Sequence, residues 1–377
     1  MASIRKRTYY KGTPKEKQVW IVDYFSTDHK SGKLKRHIET FKLQRDAKAR
    51  RDEIAGEVEK GIHTPKRESV TVAEAGDLWI GQAEIDKLER STIRQYRQHL
   101  DLHIKPFLGP RKLFTLTAKT VQEFRNKLIA ERRSHDMAKR VVVSLGSILG
   151  HAMTIGLVAR NVVAEQPKQK RQRKVEGRRK RNLEAGIDFP TTEELRALLT
   201  IEDRWRAFVV TAIFTGLRAS ELRGLTWNDV ELDGAVLHVR QRADRWNVIG
   251  GPKSEASKRD VPLAPMVVNA LKEWRLACPK EAANLVFPTG KGTIWSLPNL
   301  YRSLHPAQHE RIGKAYGLHA FRHAAASLFI AEGFSPKRVQ ALMGHSTIQV
   351  TFDTYGHLFP APDEQKEFER LQARLVG

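Results

Sequence analysis

Between positions 319 and 357 the chain reads His319-Ala320-Phe321-Arg322, then Gly344-His345, then Tyr355-Gly356-His357, and this run constrains everything upstream of it. About a hundred residues earlier stands Thr215-Gly216-Leu217-Arg218-Ala219-Ser220-Glu221. Two arginines, two histidines and a tyrosine in that order suit an enzyme that breaks a phosphodiester with a tyrosine hydroxyl. Without a metal, such cleavage needs a nucleophile, a proton for the leaving 5′-oxygen, and fixed positive charge on the non-bridging oxygens. Arg218 and Arg322 can each offer the planar fork that clamps a phosphate bidentately, which a lysine cannot reproduce. Glu221 falls three residues after Arg218, on the same face if that segment is helical, and is expected to orient the arginine or His319. Taken singly, a tyrosine near a C-terminus is packing, an arginine is surface, and Glu221 is a solvated helix charge. Their joint order is what argues for chemistry.

Order and local wording together resemble the tyrosine recombinases, in particular the integrases of phages and integrative elements. That family carries an Arg in a T-G-L-R-x-x-E turn, a Lys in a β-hairpin, H-x-x-R, G-H, and a nucleophilic Tyr usually followed two residues later by His. The matching residues here are Arg218 with Glu221, Lys253, His319 with Arg322, His345, and Tyr355 with His357. His345 and Tyr355 are ten apart where nine is commoner in the family, which reads as a subgroup variation. The resemblance is specific over roughly residues 190–360 and lies at the level of layout before that.

What the resemblance implies is a site-specific recombinase that cuts and rejoins DNA through a 3′-phosphotyrosyl intermediate and integrates or excises a mobile element. Tyr355 attacks, Lys253 protonates the leaving oxygen, and His319 and His345 bond the scissile phosphate or help shift protons. His357 supports the loop, and Lys258 is the neighbouring lysine competing for the role of Lys253. No cofactor or metal is implied. The expected partners are double-stranded DNA attachment sites, three further copies of the chain on DNA, an excisionase and a DNA-bending accessory protein. A type IB topoisomerase-like nicking-closing enzyme is the competing activity, and a DNA-binding architectural protein with a vestigial site is the competing class. His319 and His323 have a spacing that can bind zinc, but the Glu of a metalloprotease motif is absent between them.

Charge points the same way by an independent route. The net charge of +23 implies a polyanionic partner. Residues 1–65 contribute +7, 66–165 contribute +6, 166–181 contribute +8 and 182–377 only +2. The positive charge therefore sits on the first half and the joint, where phosphate neutralisation would supply affinity. A membrane surface is the alternative for a basic chain, yet no apolar run approaches the roughly 20 residues needed to span a bilayer. A single cysteine, Cys278, allows no intramolecular disulfide and fits a reducing bacterial cytoplasm. The start, Met1-Ala2-Ser3-Ile4-Arg5-Lys6-Arg7, is basic without the apolar core of a signal peptide.

The expected fold is multidomain α+β. Residues 1–65 read as a small β-sheet plus helix, with β-prone runs at 18–25 and 36–41 and a helix from about Arg45 to Lys60. By resemblance this is the arm-binding domain, and an ordinary small α+β domain is the alternative. Residues 66–165 read as a helical core-binding domain, with Val72, Ala75, Leu78 and Trp79, then Ile93, Tyr96, Leu100 and Ile104, then Val121, Phe124, Leu128 and Ile129 at helical spacing. Arg90, Arg94 and Arg97 share one helix face and are candidate phosphate contacts, against the alternative of a solvated face. Residues 166–189 form a basic linker too charged to pack, with Lys170, Arg171, Arg173, Lys174, Arg178 and Arg179 as further DNA contacts. A nuclear-localisation signal is the other reading of that run. Residues 190–377 read as a mainly α catalytic domain with a small antiparallel sheet, opened by a capping box at Thr191 to Glu194. Strands are expected at 235–240 and 258–263, with Lys253 in the connection before the second. A helix opens at Ser335-Pro336 and ends near Gly344.

Overall fold

A computed structural model describes residues 2–13, 16–27, 34–59, 69–166, 182–202, 204–252, 257–279, 284–360 and 364–376. Two compact units make up the chain, residues 1–173 and 174–377.

The first unit begins with an antiparallel meander of β1 (Ser3–Tyr9), β2 (Lys17–Thr27) and β3 (Leu34–Phe41), in that order across the sheet. β2 is central and buried on both faces, with Val19 and Ile21 on one and Val22 and Tyr24 on the other. Helix α1 (Gln44–Glu59) lays Ala47 and Ile54 on the Val22 and Tyr24 face. The sequence reading missed β1. Its run Ser3-Ile4-Arg5-Lys6-Arg7-Thr8-Tyr9 carries three consecutive cations, and it is a strand because it pairs with β2 from Ser3↔Asp23 to Tyr9↔Lys17.

The helical part of this unit contains α2 (Val72–Ile85), α3 (Arg90–His99), α4 (Lys105–Leu108), α5 (Ala118–Ala130) and α6 (His135–Thr154). Thr71 and Glu74 form a capping box at α2, and Thr117 and Ser134 cap α5 and α6. The expected apolar stripes face one core, with Val72, Ala75, Trp79, Leu100, Ile104, Val121, Phe124 and Leu128 buried. Leu78 is the exception, turned to solvent beside the stripe. Between α3 and α4 the backbone makes a π turn at Leu100–Ile104. Pro106, which follows, has no N–H to bond the carbonyl four residues back.

In the second unit the predicted capping box is present, Thr191 with Glu194, and starts α7 (Thr192–Leu198). α8 (Arg204–Thr215) is buried nearly all round and packs against α10 (Pro265–Ala277) and α12 (Leu318–Ala331). Between α8 and α10 come the short α9 (Ala219–Arg223), then β4 (Val230–Glu231), β5 (Val236–Val239), β6 (Arg242–Ala243), β7 (Ile249–Gly250) and β8 (Arg259–Pro262). β4, β5 and β8 form an antiparallel sheet with Leu237 opposite Val261, and β6 pairs with β7 as a separate hairpin. α11 (Leu297–Ile312) precedes α12, and α13 (Pro336–Met343), α14 (Ile348–Tyr355) and α15 (Glu364–Val376) follow it. Ser335 caps α13 and Gly344 ends it in the left-handed region, as its sequence predicts. Among the described residues no helix is long and apolar enough to cross a membrane.

Candidate active site

The site is built where three segments far apart in sequence meet the C-terminal end of α13. α8 stops because Gly216 takes φ +61°, and a Cβ there would come within 3.0 Å of Ala325 and Met343. The reversal places Arg218 at the N-cap of α9. Glu221 then reaches back, its carboxylate accepting from the Arg218 backbone N–H at 2.8 Å and from the Arg218 guanidinium at 2.8 Å. Glu221 thus bonds Arg218 at two points, and among the described residues its recorded bonds run to arginines and none to His319.

Arg218 also donates to the Gly344 carbonyl at 2.7 Å. Arg322, on α12, donates to the Gly216 carbonyl at 2.7 Å and to the Met343 carbonyl. Arg259, on β8, donates from Nε to the Leu342 carbonyl at 2.7 Å and grips both oxygens of Glu221 at 3.1 and 2.8 Å. Three arginines thus occupy three successive carbonyls, of residues 342, 343 and 344, at the negative end of a helix. Gly344 leaves room for Arg259, since a Cβ there would stand 2.9 Å from its guanidinium. Sequence reasoning missed Arg259, taking it only as part of a strand. The signal was available, because Arg259 and Val261 alternate with exposed Asp260 and Pro262 and so point inward.

Electrostatics follow from this crowding. Burial, then the charge of Arg218, pushes Arg322 down to about 9, which leaves it protonated at neutral pH. Burial opposes ionisation of Glu221, but Arg259 and Arg218 overcome it and hold the carboxyl at about 2. His345 follows Gly344 and shares a hydrogen bond from Nδ1 with the buried Thr351 hydroxyl at 2.9 Å. Burial, then Arg322 and Arg218, lowers it to about 4, so the ring is neutral. His319 stands one turn before Arg322 and is exposed. Desolvation by its neighbours, then Arg322 and Arg218, lowers its pKa.

Tyr355 is the last residue of α14 and packs with Ala326, Ile330, Val339 and Met343. Burial raises it to about 12 although Arg322 and Arg218 pull the other way, so both arginines act on this phenol. Its hydroxyl lies 2.9 Å from Nδ1 of His323, a residue whose place in the sequence suggests only a zinc spacing. Tyr316, the other tyrosine close in sequence, donates its hydroxyl to Glu194 at 2.8 Å. His357 Nε2 is 3.1 Å from the Leu183 carbonyl.

A cavity of about 330 Å³ opens beside the cluster, lined by Arg218, Glu221, Arg242, Pro252, Ser257 and Gly344 among others. Lys253 adjoins Pro252 and lies outside the described residues. So do Lys170, Arg171, Arg173, Lys174, Arg178 and Arg179. Arg90, Arg94 and Arg97 are on α3 and exposed, and Arg97 pairs with Glu84 at 2.7 Å. Such half-exposed pairs are weak, so this contact does not bar Arg97 from a phosphate.

Comparison with known proteins bears on the whole chain. Residues 179–361 match the phage integrase family, and residues 71–129 match the phage integrase N-terminal SAM-like domain. The chain is 25% identical over 358 residues to the XerC-like tyrosine recombinase of Caldanaerobacter subterraneus subsp. tengcongensis, covering 88% of this chain and 90% of that one. It is 27% identical over 364 residues to an integrase of Streptomyces ambofaciens, covering 90% and 89%. Two solved structures share its fold. The Tn1549 transposon integrase in complex with a circular intermediate DNA matches with a TM-score of 0.63 at 20% identity, over 80% of this chain and 100% of that one. A lambda integrase tetramer bound to a Holliday junction matches with a TM-score of 0.56 at 19% identity, over 90% and 92%. With both domains matched in order and relatives aligned along nearly its full length, the chain belongs to the phage integrase family of tyrosine recombinases and is a site-specific recombinase.

Proposed function

We propose that this chain recombines double-stranded DNA attachment sites of a mobile element with Tyr355 as the nucleophile and Arg218 and Arg322 as the phosphate clamp. The observation that carries the proposal is the cluster at the end of α13, where both arginines are fixed by backbone carbonyls while acting electrostatically on the Tyr355 phenol. Rigid donors of this kind act in the transition state without reorganising. The Tyr355 oxygen attacks phosphorus, the bond to the 5′-oxygen breaks, and a 3′-phosphotyrosyl link stores the bond energy. A 5′-hydroxyl from the second site reverses the step and seals the exchanged strand, with no ATP. Lys253 is the acid for the leaving oxygen, Glu221 holds Arg218, and His319 and His345 face the phosphate. Neutral His345 and accessible His319 suit hydrogen bonding or proton shuttling.

Residues 1–65 bind arm sites, 66–165 bind the core site through Arg90, Arg94 and Arg97, 166–189 link, and 190–377 carry the chemistry. Four copies act together, which the tetrameric assembly of the lambda integrase neighbour supports. The apolar face of α15, where Phe368, Leu371, Leu375 and Val376 are exposed, supplies a surface for contact between copies. Direction is set by an excisionase and a DNA-bending protein, and the reaction takes place in a bacterial cytoplasm. The test is covalent trapping: full-length protein incubated with nicked duplexes of randomised sequence forms a denaturation-resistant adduct whose DNA-linked peptide contains Tyr355. An adduct on another residue, or none, refutes the assignment.

A further inference from the structure

We propose that His323 is the general base of strand cleavage, its Nδ1 taking the phenolic proton as Tyr355 attacks. The inference rests on the reading of Tyr355 as nucleophile and deepens it.

A buried phenol at about 12 is ionised at neutral pH in only about one molecule in 10⁵, so the attack needs a proton acceptor. His323 Nδ1 lies 2.9 Å from the Tyr355 hydroxyl, within the range for direct transfer. Among the described residues, His323 is the one recorded in hydrogen-bond contact with that hydroxyl. His345 has its ring 6.2 Å from that of Tyr355, and its Nδ1 is engaged by Thr351. His319 packs edge-on against His323, ring centroids 4.4 Å apart. Arg218 and Arg322 have donors and no acceptor.

Burial, then the nearby His319 and Arg322, pushes His323 down to about 4, so the ring is neutral at pH 7, and in the tautomer with its proton on Nε2 the Nδ1 lone pair accepts from the phenol. A base that weak does not deprotonate a resting phenol. Two changes close the gap during the reaction. The phenolic oxygen loses its basicity as its bond to phosphorus forms, and the phosphate brings negative charge that offsets the arginines depressing His323. Asp188 acts in the same direction, since its charge favours the imidazolium. In the balanced step the Oη–phosphorus bond forms and the bond to the 5′-oxygen breaks. The phenolic proton goes to Nδ1, and the leaving 5′-oxygen takes its proton from Lys253. On resealing, His323 returns its proton to the departing phenolate oxygen.

The experiment compares two reactions of the full chain on a nicked duplex chosen from randomised DNA by covalent trapping with the parent. In cleavage, His323→Gln is expected to lower the single-turnover rate of adduct formation by about a hundredfold or more. In sealing, a 5′-hydroxyl strand attacks a strand ending in 3′-p-nitrophenyl phosphate, whose leaving group needs no proton. There, His323→Gln/Tyr355→Phe should stay within about threefold of Tyr355→Phe alone, which also shows that the variant folds and binds DNA. Equal loss in both reactions makes His323 structural and overturns the proposal. Cleavage within about threefold of the parent overturns it too, and faster cleavage makes His323 a latch that restrains the tyrosine. A parent that forms no adduct on any duplex removes the underlying reading of Tyr355, and the base with it.

Discussion

Replacing Glu221 with glutamine removes one negative charge and almost no volume, and the arginine cluster gives the size of the effect. Glu221 is 3% exposed and held at about 2 in place of the ordinary 4.5, because Arg259 and Arg218 outweigh the cost of burying it. That difference corresponds to about 3 kcal/mol of stability. The carboxyl is depressed in the folded state, so its contribution is complete above about pH 4.5 and is lost as the pH falls towards 2. The variant also leaves the Arg259 guanidinium buried without its counter-charge, a defect typically costing about 3–5 kcal/mol. Full-length Glu221→Gln should therefore lose about 3 kcal/mol at pH 7, and its deficit should shrink steadily below pH 4.5. Urea unfolding followed by tryptophan fluorescence reads this, because Trp205, Trp227, Trp246, Trp274 and Trp295 all lie in the second unit. Adding Arg259→Met removes the stranded cation and should recover part of the loss. A deficit below about 1 kcal/mol at pH 7, or one unchanged at pH 3.5, would show that Glu221 does not neutralise this cluster.

Tyr355→Phe should bind nicked duplex as the parent does while forming no covalent adduct, and undiminished adduct would move the nucleophile elsewhere. Arg218→Lys and Arg322→Lys keep the charge but lose the fork, and a single ammonium cannot span the Gly216 and Met343 carbonyls as Arg322 does. Single-turnover cleavage should fall at least about a hundredfold with binding little changed, and rates within about threefold of the parent would refute the clamp. Neutralising the basic residues of 168–181, a run that gives residues 166–181 a net +8, should flatten the plot of log affinity against log salt by roughly one unit for each phosphate left without its cation. An unchanged slope would make the run a passive tether.

Elements whose stability is local were legible in the sequence. The capping box at Thr191, the Ser335-Pro336 start of α13 and the Gly344 stop each depend on a few adjacent residues. Periodicity found the helical core of the first unit, with one residue out of place. Leu78 sits at the margin of its stripe, whereas Leu100 and Ile104 keep their core positions through the π turn. β1 was invisible for a different reason, since an edge strand with three cations draws its stability from pairing with β2 rather than from an apolar pattern.

The site divides along the same line. Arg218, Glu221, Arg322, His345 and Tyr355 could be named because each lies in a short recognisable string. Arg259 could be placed on a strand and His323 beside Arg322, but neither could be given its partner, because what matters about them is a contact across 38 residues in one case and 32 in the other. Their placement explains what the strings leave unexplained. Arg218, Arg259 and Arg322 bring three positive charges together, and Glu221 supplies one negative charge. The carbonyl ends of α13 offset part of the surplus, and the helix finishes at a glycine that lets the Arg259 guanidinium approach. Burial, and then the charge of Arg218, still holds Arg322 down at about 9. A phosphodiester entering the cluster would supply the missing anion and restore Arg322 towards its usual value. The cost of assembling like charges is thus met in folding, by Glu221 and the end of a helix, before any DNA arrives.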